Sequence, residues 1–225
     1  MSPPLKAVTF DLWQTLMHDG KEHGAARAKL RAERIHRALP DAPLKDVEAA
    51  LQNVWHTWET TYWAKNEDPG FDAQIAWLMK RLAVPPELEA ELRAGYVDPI
   101  FAIPPHVDPE AVPALTSLRE RGLKLGLICN TSVTPGSALR QLLDQWHVGE
   151  LLMVQLFSDE VGIRKPAPAI FRETARRLGV DIAAMLHVGD RQDADVEGAI
   201  GAGAKALLAR PQVPLTKLVS TLTST

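Results

Sequence analysis

The sequence has little cysteine, no long apolar run and almost no excess of charge. Its one cysteine, Cys129, can form no disulfide within the chain and rules out a metal site built from several cysteines. No apolar segment approaches the roughly 20 residues that span a bilayer, and the formal net charge of −3 offers no basic surface for nucleic acid. The first residues lack the pattern of a secretory signal. We therefore expect a cytoplasmic protein with no membrane and no nucleic-acid partner.

The chain contains enough apolar residues, 46% of 225, to bury a core of ordinary size. Five short apolar runs bounded by Gly, Pro, Asp or Asn predict buried strands, at 6–10, 123–129, 152–157, 185–188 and 204–208. Helical patterns lie between the later runs, at 109–121, 135–146, 168–178 and 195–202. This alternation predicts an α/β fold with a Rossmann-like parallel-sheet core.

The segment 17–103 interrupts the alternation. It contains helical patterns and no convincing strand; the patterns cover 22–39, 44–64, 71–82 and 86–97. The proline-rich residues 103–109 follow it and are typical of a domain boundary. We predict a discontinuous core of residues 1–16 and 104–225 with an inserted α-helical cap domain of residues 17–103.

Polar residues follow the predicted strands, at the sheet edge where open α/β folds bind ligands. Asp11, Asp190 and Asp195 would converge there with Lys165. Three carboxylates repel one another, and Mg²⁺ relieves the repulsion while keeping coordination sites for water and a phosphate oxygen. Asp11 could then attack a phosphoryl group as a nucleophile, with Lys165 as a fixed point charge.

Neutral polar residues at the same edge predict a phosphate-binding site. The hydroxyl of Thr15, the backbone N–H groups after Asp11 and the polar side chains of Asn130 and Thr131 could donate to phosphoryl oxygens. The expected partner is therefore a small phosphorylated molecule. Nothing in the sequence specifies an oligomeric state.

Four segments, in order, resemble the signatures of the haloacid dehalogenase (HAD) superfamily of hydrolases. Residues 10–16, Phe-Asp-Leu-Trp-Gln-Thr-Leu, resemble Asp-x-Asp-x-Thr, and residues 127–130 end an apolar strand where the family has Ser or Thr. Residues 164–166, Arg-Lys-Pro, match the third signature, and residues 188–190 with Asp195 match the fourth. An α-helical cap inserted after the first signature is also a family arrangement.

The resemblance implies a Mg²⁺-dependent phosphatase that forms an aspartyl-phosphate on Asp11. It makes Asp11 nucleophile and metal ligand, and Lys165 the residue that orients nucleophile and phosphate. The remaining implied metal ligands are the backbone carbonyl of Trp13, Asp190 and Asp195, and Asn130 would lie near the transferred group.

Two positions depart from the family pattern. Trp13 replaces the second Asp of the first signature, which protonates the leaving alcohol, and indole cannot act as an acid near neutral pH. General acid–base catalysis is typically worth about 10²–10⁴-fold in rate, so we expect weak turnover of alkyl phosphates unless His18, Asp19 or a cap residue substitutes. Cys129 stands in the Ser/Thr position, either as a weak donor to phosphate or as a small core residue.

Two alternatives remain open. A metal-free 2-haloacid dehalogenase would also use Asp11 and carry an aromatic residue at position 13, but Asp190 and Phe171 depart from that pattern. A catalytically silent HAD-fold protein could bind a ligand or regulate a partner without turnover. Fold alone does not separate these functions.

Several cap residues invite a functional interpretation but have ordinary structural ones. An aromatic stripe at helical spacing, Leu51, Trp55, Trp58 and Tyr62, predicts helix packing, with an apolar wall over the site as the alternative. Three arginines, Arg27, Arg31 and Arg34, lie on one side of the first cap helix, where we expect a solvated face. His187 is expected to be a hydrogen-bonded core histidine.

Overall fold

A computed structural model describes residues 3–223. The terminal residues of the predicted core, 1–2 and 224–225, lie outside the described part of the chain. The strands are β1 (Ala7–Phe10), β2 (Met17–His18), β3 (His106–Val107), β4 (Lys124–Cys129), β5 (Val154–Phe157), β6 (Met185–Gly189) and β7 (Lys205–Leu208). Within residues 3–223 no helix is long and apolar enough to cross a membrane.

The helices divide between an insertion and the core. The insertion contains α1 (Lys21–Ala38), α2 (Leu44–Thr61), α3 (Phe71–Arg81), α4 (Glu89–Val97) and α5 (Pro99–Ala102). The core contains α6 (Ala111–Glu120), α7 (Gly136–Gln145), α8 (Ser158–Val161), α9 (Pro168–Leu178), α10 (Gly198–Ala202) and α11 (Leu215–Ser220).

Five strands form one parallel sheet in the order β5-β4-β1-β6-β7. The predicted α/β fold with a helical insertion is confirmed. Four of the predicted apolar runs contain one of these strands, and β6 extends one residue beyond the run predicted at 185–188. The chain leaves β1 in one direction towards β4 and later returns on the other side as β6. This switch point opens a crevice beyond the carboxyl end of β1, as parallel α/β sheets generally do.

The strand register aligns the carboxyl ends of β1, β4 and β6, which precede candidate site residues. Phe10, the last residue of β1, lies opposite Leu127 of β4 and Val188 of β6. Asp11 therefore leaves the sheet near the ends of both neighbouring strands. Its backbone N–H donates to the carbonyl of Val188 at 2.8 Å, which extends the pairing by one residue.

Alternating side chains of the strands fill two separate core layers, as the period of two requires. Val8 and Phe10 belong to a layer that includes residues of α6, α7 and α11. Ala7 and Met185 belong to the opposite layer, with residues of α9 and α10. Both faces of the sheet are covered, which explains why the strands are continuous apolar runs in the sequence.

The helical insertion has its own apolar cluster, which contains Ile35, Val54, Trp58, Leu78 and Leu92 from α1 to α4. Helix packing is thus confirmed for part of the aromatic stripe, because Trp58 is buried there.

The insertion is joined to the core by a short antiparallel ribbon that the sequence did not predict. The expectation of no strand within residues 17–103 was wrong, because β2 pairs with β3, with Met17 opposite Val107 and His18 opposite His106. The ribbon lies beside the boundaries predicted at residues 16/17 and 103/104. Its strands have two residues each, too few for an apolar pattern to be visible.

The helix predicted at 195–202 also differs in detail. Residues Gln192–Glu197 form a π-helix, and α10 begins only at Gly198. Wide π turns are rare and occur often at functional sites. This one holds Asp195.

Candidate active site

Three carboxylates lie together at the carboxyl edge of the sheet. Asp11 follows β1, Asp190 follows β6, and Asp195 belongs to the π-helix. One carboxylate oxygen from each lies within 4.8 Å of the others. Asp11 and Asp195 are buried and Asp190 is half-buried, so a cluster of three negative charges is held largely away from water.

Lys165 provides a buried positive charge beside two of these acids. Its ammonium Nζ lies 2.5 Å from Oδ1 of Asp11 and 2.7 Å from Oδ1 of Asp195. Burial opposes the charged form of Lys165, but the two carboxylates outweigh it and raise the pKa above its ordinary value. Lys165 is therefore a permanent cation at this site.

The pKa values of the carboxylates differ because their partners differ. Burial raises the pKa of Asp11 to about 6; Lys165 offsets part of this rise, and the charge of Asp195 adds to it. For Asp195, burial also favours the neutral form, but Lys165 and His187 overcome it and hold the pKa below its ordinary value. Burial and Asp195 raise the pKa of Asp190. The positive charges of the protein thus offset the negative charges of Asp11 and Asp190 only in part.

Asp195 is fixed by neighbours on three sides. Besides Lys165, its Oδ1 accepts a hydrogen bond from Nε2 of His187 at 3.1 Å, and its Oδ2 accepts from the backbone N–H of Arg191 at 2.9 Å. Gly189 makes room for it, because a Cβ at that position would lie 2.3 Å from Cγ of Asp195. The close approach explains why a glycine ends β6.

His187 is the hydrogen-bonded core histidine that the sequence predicts. It is fully buried, and burial lowers its pKa to about 4, so the ring is neutral near pH 7. Because the carboxylate of Asp195 can only accept, Nε2 carries the proton. Nδ1 then accepts from the hydroxyl of Thr9 at 2.9 Å. This chain of bonds extends from β1 through β6 to the carboxylate cluster.

Asn130 holds the loop that carries Lys165. Its side-chain amide donates to the backbone carbonyl of Lys165 at 2.9 Å, and the backbone N–H of Lys165 donates to its Oδ1 at 2.8 Å. Both ends of the amide are therefore used. The structure gives Asn130 a visible positioning role, and its predicted contact with phosphate stays a prediction.

The other predicted phosphate-binding residues have different surroundings. The hydroxyl of Thr15 is buried and has no hydrogen-bond partner among residues 3–223, so it is available to a ligand. The hydroxyl of Thr131 is within hydrogen-bond distance of Ser158 at 3.0 Å and accepts from the backbone N–H of Asp159 at 3.1 Å. Cys129 is fully buried, and burial raises the pKa of its thiol, with Asp11 adding to the rise.

Trp13 packs as an apolar residue between insertion and core. It is half-buried and contacts a small apolar cluster of Ile100 from α5 with Ala138 and Leu142 from α7. The indole therefore belongs to the packing of the site wall. Trp13 therefore provides no acidic group at this position.

A buried polar network, which sequence reasoning missed, connects the insertion to the site. Asp68, 4% exposed, accepts hydrogen bonds from the Ser158 hydroxyl at 2.6 Å and from Arg164 at 3.0 Å. Arg164 also lies over the ring of Trp63, 4.4 Å from its centroid. The backbone reinforces this contact, since Glu67 and Ile163 form an antiparallel bridge. The network therefore reaches the residue that precedes Lys165.

A family model described as haloacid dehalogenase-like hydrolase matches residues 5–203. The chain belongs to this family. The membership inferred from the four signatures is thus confirmed for this hydrolase.

Curated relatives of this haloacid dehalogenase-like hydrolase include phosphatases. It is 35% identical to glyceraldehyde 3-phosphate phosphatase of Methanopyrus kandleri over 205 residues, which cover 88% of this chain and 81% of the relative. It is 29% identical to phosphoserine phosphatase of Thermus thermophilus over 229 residues, covering 90% of this chain and 88% of the relative.

Solved structures agree on the fold. The 2-haloacid dehalogenase from Pseudomonas syringae pv. Tomato DC3000 superposes with a TM-score of 0.73 at 21% identity, covering 97% of this chain and 98% of that chain. A HAD phosphatase from Thermococcus onnurineus superposes with a TM-score of 0.63 at 22% identity, covering 92% and 87%. At these identities the similarity shows the shared fold alone.

Proposed function

We propose that this hydrolase is a Mg²⁺-dependent phosphatase that cleaves a small phosphorylated metabolite through an aspartyl-phosphate on Asp11. The observation that carries the proposal is the convergence of Asp11, Asp190 and Asp195 within 4.8 Å beside the ammonium of Lys165. Curated relatives named as phosphatases of glyceraldehyde 3-phosphate, phosphoserine and phosphoglycolate support a small phosphorylated substrate.

The donor set suits Mg²⁺. It consists of hard carboxylate oxygens, and the raised pKa values of Asp11 and Asp190 indicate negative charge that a bound cation would offset. Asp11, Asp190 and Asp195 would hold the ion, with the backbone carbonyl of Trp13 as a further proposed ligand. When bound, Mg²⁺ supplies positive charge that lets an anionic phosphoryl group approach these carboxylates.

Asp11, Lys165 and Thr15 have different roles in the proposed reaction. Lys165 holds Oδ1 of Asp11, whereas Oδ2 accepts no hydrogen bond from the described residues and is free to attack phosphorus. A bond forms between this oxygen and phosphorus as the bond to the leaving oxygen breaks. Lys165 and the unpartnered hydroxyl of Thr15 stabilise the developing negative charge. Water then attacks phosphorus and releases phosphate and the Asp11 carboxylate.

Trp13 supplies no proton to the leaving group. The two substitutes that the sequence offered have other partners, since His18 pairs with Asp108 at 2.6 Å and Asp19 pairs with Arg27. Aryl, acyl and anhydride phosphates have leaving groups of low pKa and need little protonation. We therefore propose that they are cleaved faster than alkyl phosphates.

Hydrolysis of an aryl phosphate such as p-nitrophenyl phosphate tests the proposal. We expect turnover with Mg²⁺, loss of turnover with EDTA, and loss in Asp11→Asn, whose side chain has the same shape but is a poor nucleophile. Release of halide from a 2-haloacid without metal would instead identify a dehalogenase. Calorimetric Mg²⁺ binding without any turnover would identify a catalytically silent protein.

A further inference from the structure

Arg31 is a buried cation without an acidic partner. The sequence-based expectation that the α1 arginines form a solvated face was wrong for Arg27 and Arg31, which are 7% and 5% exposed. Arg27 pairs with Asp19, and half-buried Arg34 pairs with Asp98 at 3.2 Å. For Arg31, no carboxylate of residues 3–223 lies within ion-pair distance.

The known contacts of Arg31 leave most of its guanidinium unused. Its Nε donates to the backbone carbonyl of Tyr96 at 2.7 Å, and its Cζ lies 5.1 Å from the centroid of the Tyr96 ring. Neither terminal nitrogen donates to an acceptor in the described structure. A guanidinium with two free terminal nitrogens presents the parallel donors that bind a carboxylate in a bidentate manner.

Arg31 is also one of the residues that line a cavity of roughly 630 Å³ between α1 and α2, which we call the cap cavity. Its walls include the apolar side chains Ala32, Leu51 and Trp55. Trp55 is 42% exposed, unusual for a tryptophan without a ligand or partner. An apolar pocket with a few polar groups is typical of small-molecule sites.

The cap cavity borders the same edge of the sheet as Asp11. Val133, four residues beyond the end of β4, forms part of its wall. The neighbouring carbonyl of Ser132 accepts a hydrogen bond from Gln74 of α3 at 2.9 Å, so this core loop is held against the insertion. The loop that follows β4 therefore contributes Asn130 to the support of Lys165 and Val133 to the wall of the cap cavity.

The charge of the cap cavity selects the group that would bind there. The other charged side chains of its wall, Lys29 and Glu48, are exposed and opposite in sign. Among the described residues of the wall, Arg31 therefore contributes the one unbalanced charge, and a singly charged carboxylate matches it. Burying such a charge without compensation destabilises a fold, which favours a ligand-binding role.

We propose that Arg31 binds the carboxylate of a phosphorylated carboxylic acid, with the carbon chain of the substrate against the apolar walls of the cap cavity. The assignment rests on the proposed phosphatase function and specifies its substrate class. Arg31 would act as a specificity residue that anchors the end of the substrate remote from phosphorus.

A matched series of probes tests this assignment. The probes are ω-phosphooxy carboxylates with one to five methylene groups, each paired with the neutral carboxamide of equal length. For at least one length, we expect kcat/KM with Mg²⁺ to favour the acid by about tenfold or more. Arg31→Gln should lower the value for that acid by about 10- to 100-fold, mainly through KM, and leave the amide within about twofold.

The controls separate recognition from folding. Arg34→Gln, one turn further along α1, should keep the preference for the acid. If Arg31→Gln does not fold, a second variant serves in its place. Ala28→Glu, at an exposed position of the cavity wall, should lower kcat/KM for the acid selectively. Equal values for acid and amide at every length, or a preference that persists in the folded variants, would overturn the assignment.

A binding measurement distinguishes failure of the proposed phosphatase function from failure of the Arg31 assignment. If no probe is hydrolysed, calorimetric titration with the same pairs in the presence of Mg²⁺ tests the cap cavity directly. Tighter binding of the acid, lost in Arg31→Gln, supports the site without catalysis. Equal affinities of acid and amide contradict it.

Discussion

Arg164 of the core donates a hydrogen bond of 3.0 Å to Asp68 of the insertion, 96 positions earlier in the chain. Asp68 is almost fully buried, and Arg164 immediately precedes Lys165. The ion pair is therefore both a contact between the two parts of the fold and a support for the loop that holds the ammonium of Lys165.

Asp68→Asn should destabilise the protein, because it leaves the largely buried charge of Arg164 without an acidic partner. We expect the free energy of unfolding in urea to fall by about 2–4 kcal/mol. The exposed pair of Arg140 and Glu160, 2.9 Å apart, provides the control. Glu160→Gln should change stability by less than about 1 kcal/mol. Equal losses in the two variants would contradict the role of burial.

Gly189→Ala should weaken the Mg²⁺ binding that we propose. A Cβ at this position would lie 2.3 Å from Cγ of Asp195, so the carboxylate must move. We expect Mg²⁺ affinity, measured by calorimetry, to fall about tenfold or more, together with lower stability. Gly201→Ala is the matched control, because no atom lies within 4 Å of its Cβ in α10. It should retain Mg²⁺ affinity and gain up to about 1 kcal/mol. Unchanged Mg²⁺ binding in Gly189→Ala would contradict the packing argument.

Trp13→Asp should restore a proton donor for the leaving group. We expect the ratio of kcat/KM for an alkyl phosphate to that for an aryl phosphate to rise by about tenfold or more. Stability should decrease because the indole packs against Ile100 and Leu142. Trp13→Asn is nearly the same size as the Asp variant but carries no acid, so it should leave the ratio unchanged. A similar rise in both variants would attribute the effect to altered shape.

Tyr96→Phe should reveal the buried state of this phenol at alkaline pH. Burial raises the pKa of Tyr96 from 10.0 to about 12, with Arg31 offsetting part of the rise. The unfolded chain therefore ionises first, and the contribution of Tyr96 to stability is complete below pH 10 and lost between pH 10 and about 12.

The measurement is the free energy of unfolding of wild type and Tyr96→Phe as a function of pH. At neutral pH the wild type should be more stable by about 1–3 kcal/mol, because its hydroxyl donates to Oε1 of Gln74 at 2.8 Å. This difference should shrink by about 1.4 kcal/mol between pH 9 and pH 11. A constant difference would mean that Tyr96 ionises equally in both states.

The sheet and its edge were predictable because their signals are local. Each buried strand is a continuous apolar run, and parallel strands bring the residues that follow them together. Asp11, Asp190 and Lys165 could be selected on this basis. The helical insertion was likewise visible from long stretches of helical periodicity.

Features that depend on partners distant in sequence could not be predicted. The ribbon of β2 and β3 pairs residues about 90 positions apart over two residues each. The role of Asp68 depends on Ser158, also 90 positions away. Helical spacing places Arg27, Arg31 and Arg34 on one face of α1, but only the tertiary structure reveals which of them has an acid beside it.

The ribbon between insertion and core brings the two connecting segments to one place. The carbonyl of Leu16 accepts a hydrogen bond of 2.9 Å from the backbone N–H of Asp108, just outside the paired strands. The chain therefore leaves the core and returns to it at neighbouring points. A tight turn between β2 and β3 would be enough to connect these points in the absence of the insertion. An insertion of another size could occupy this position without displacing any strand of the sheet. The substrate range could then change while the carboxylate cluster stays in place.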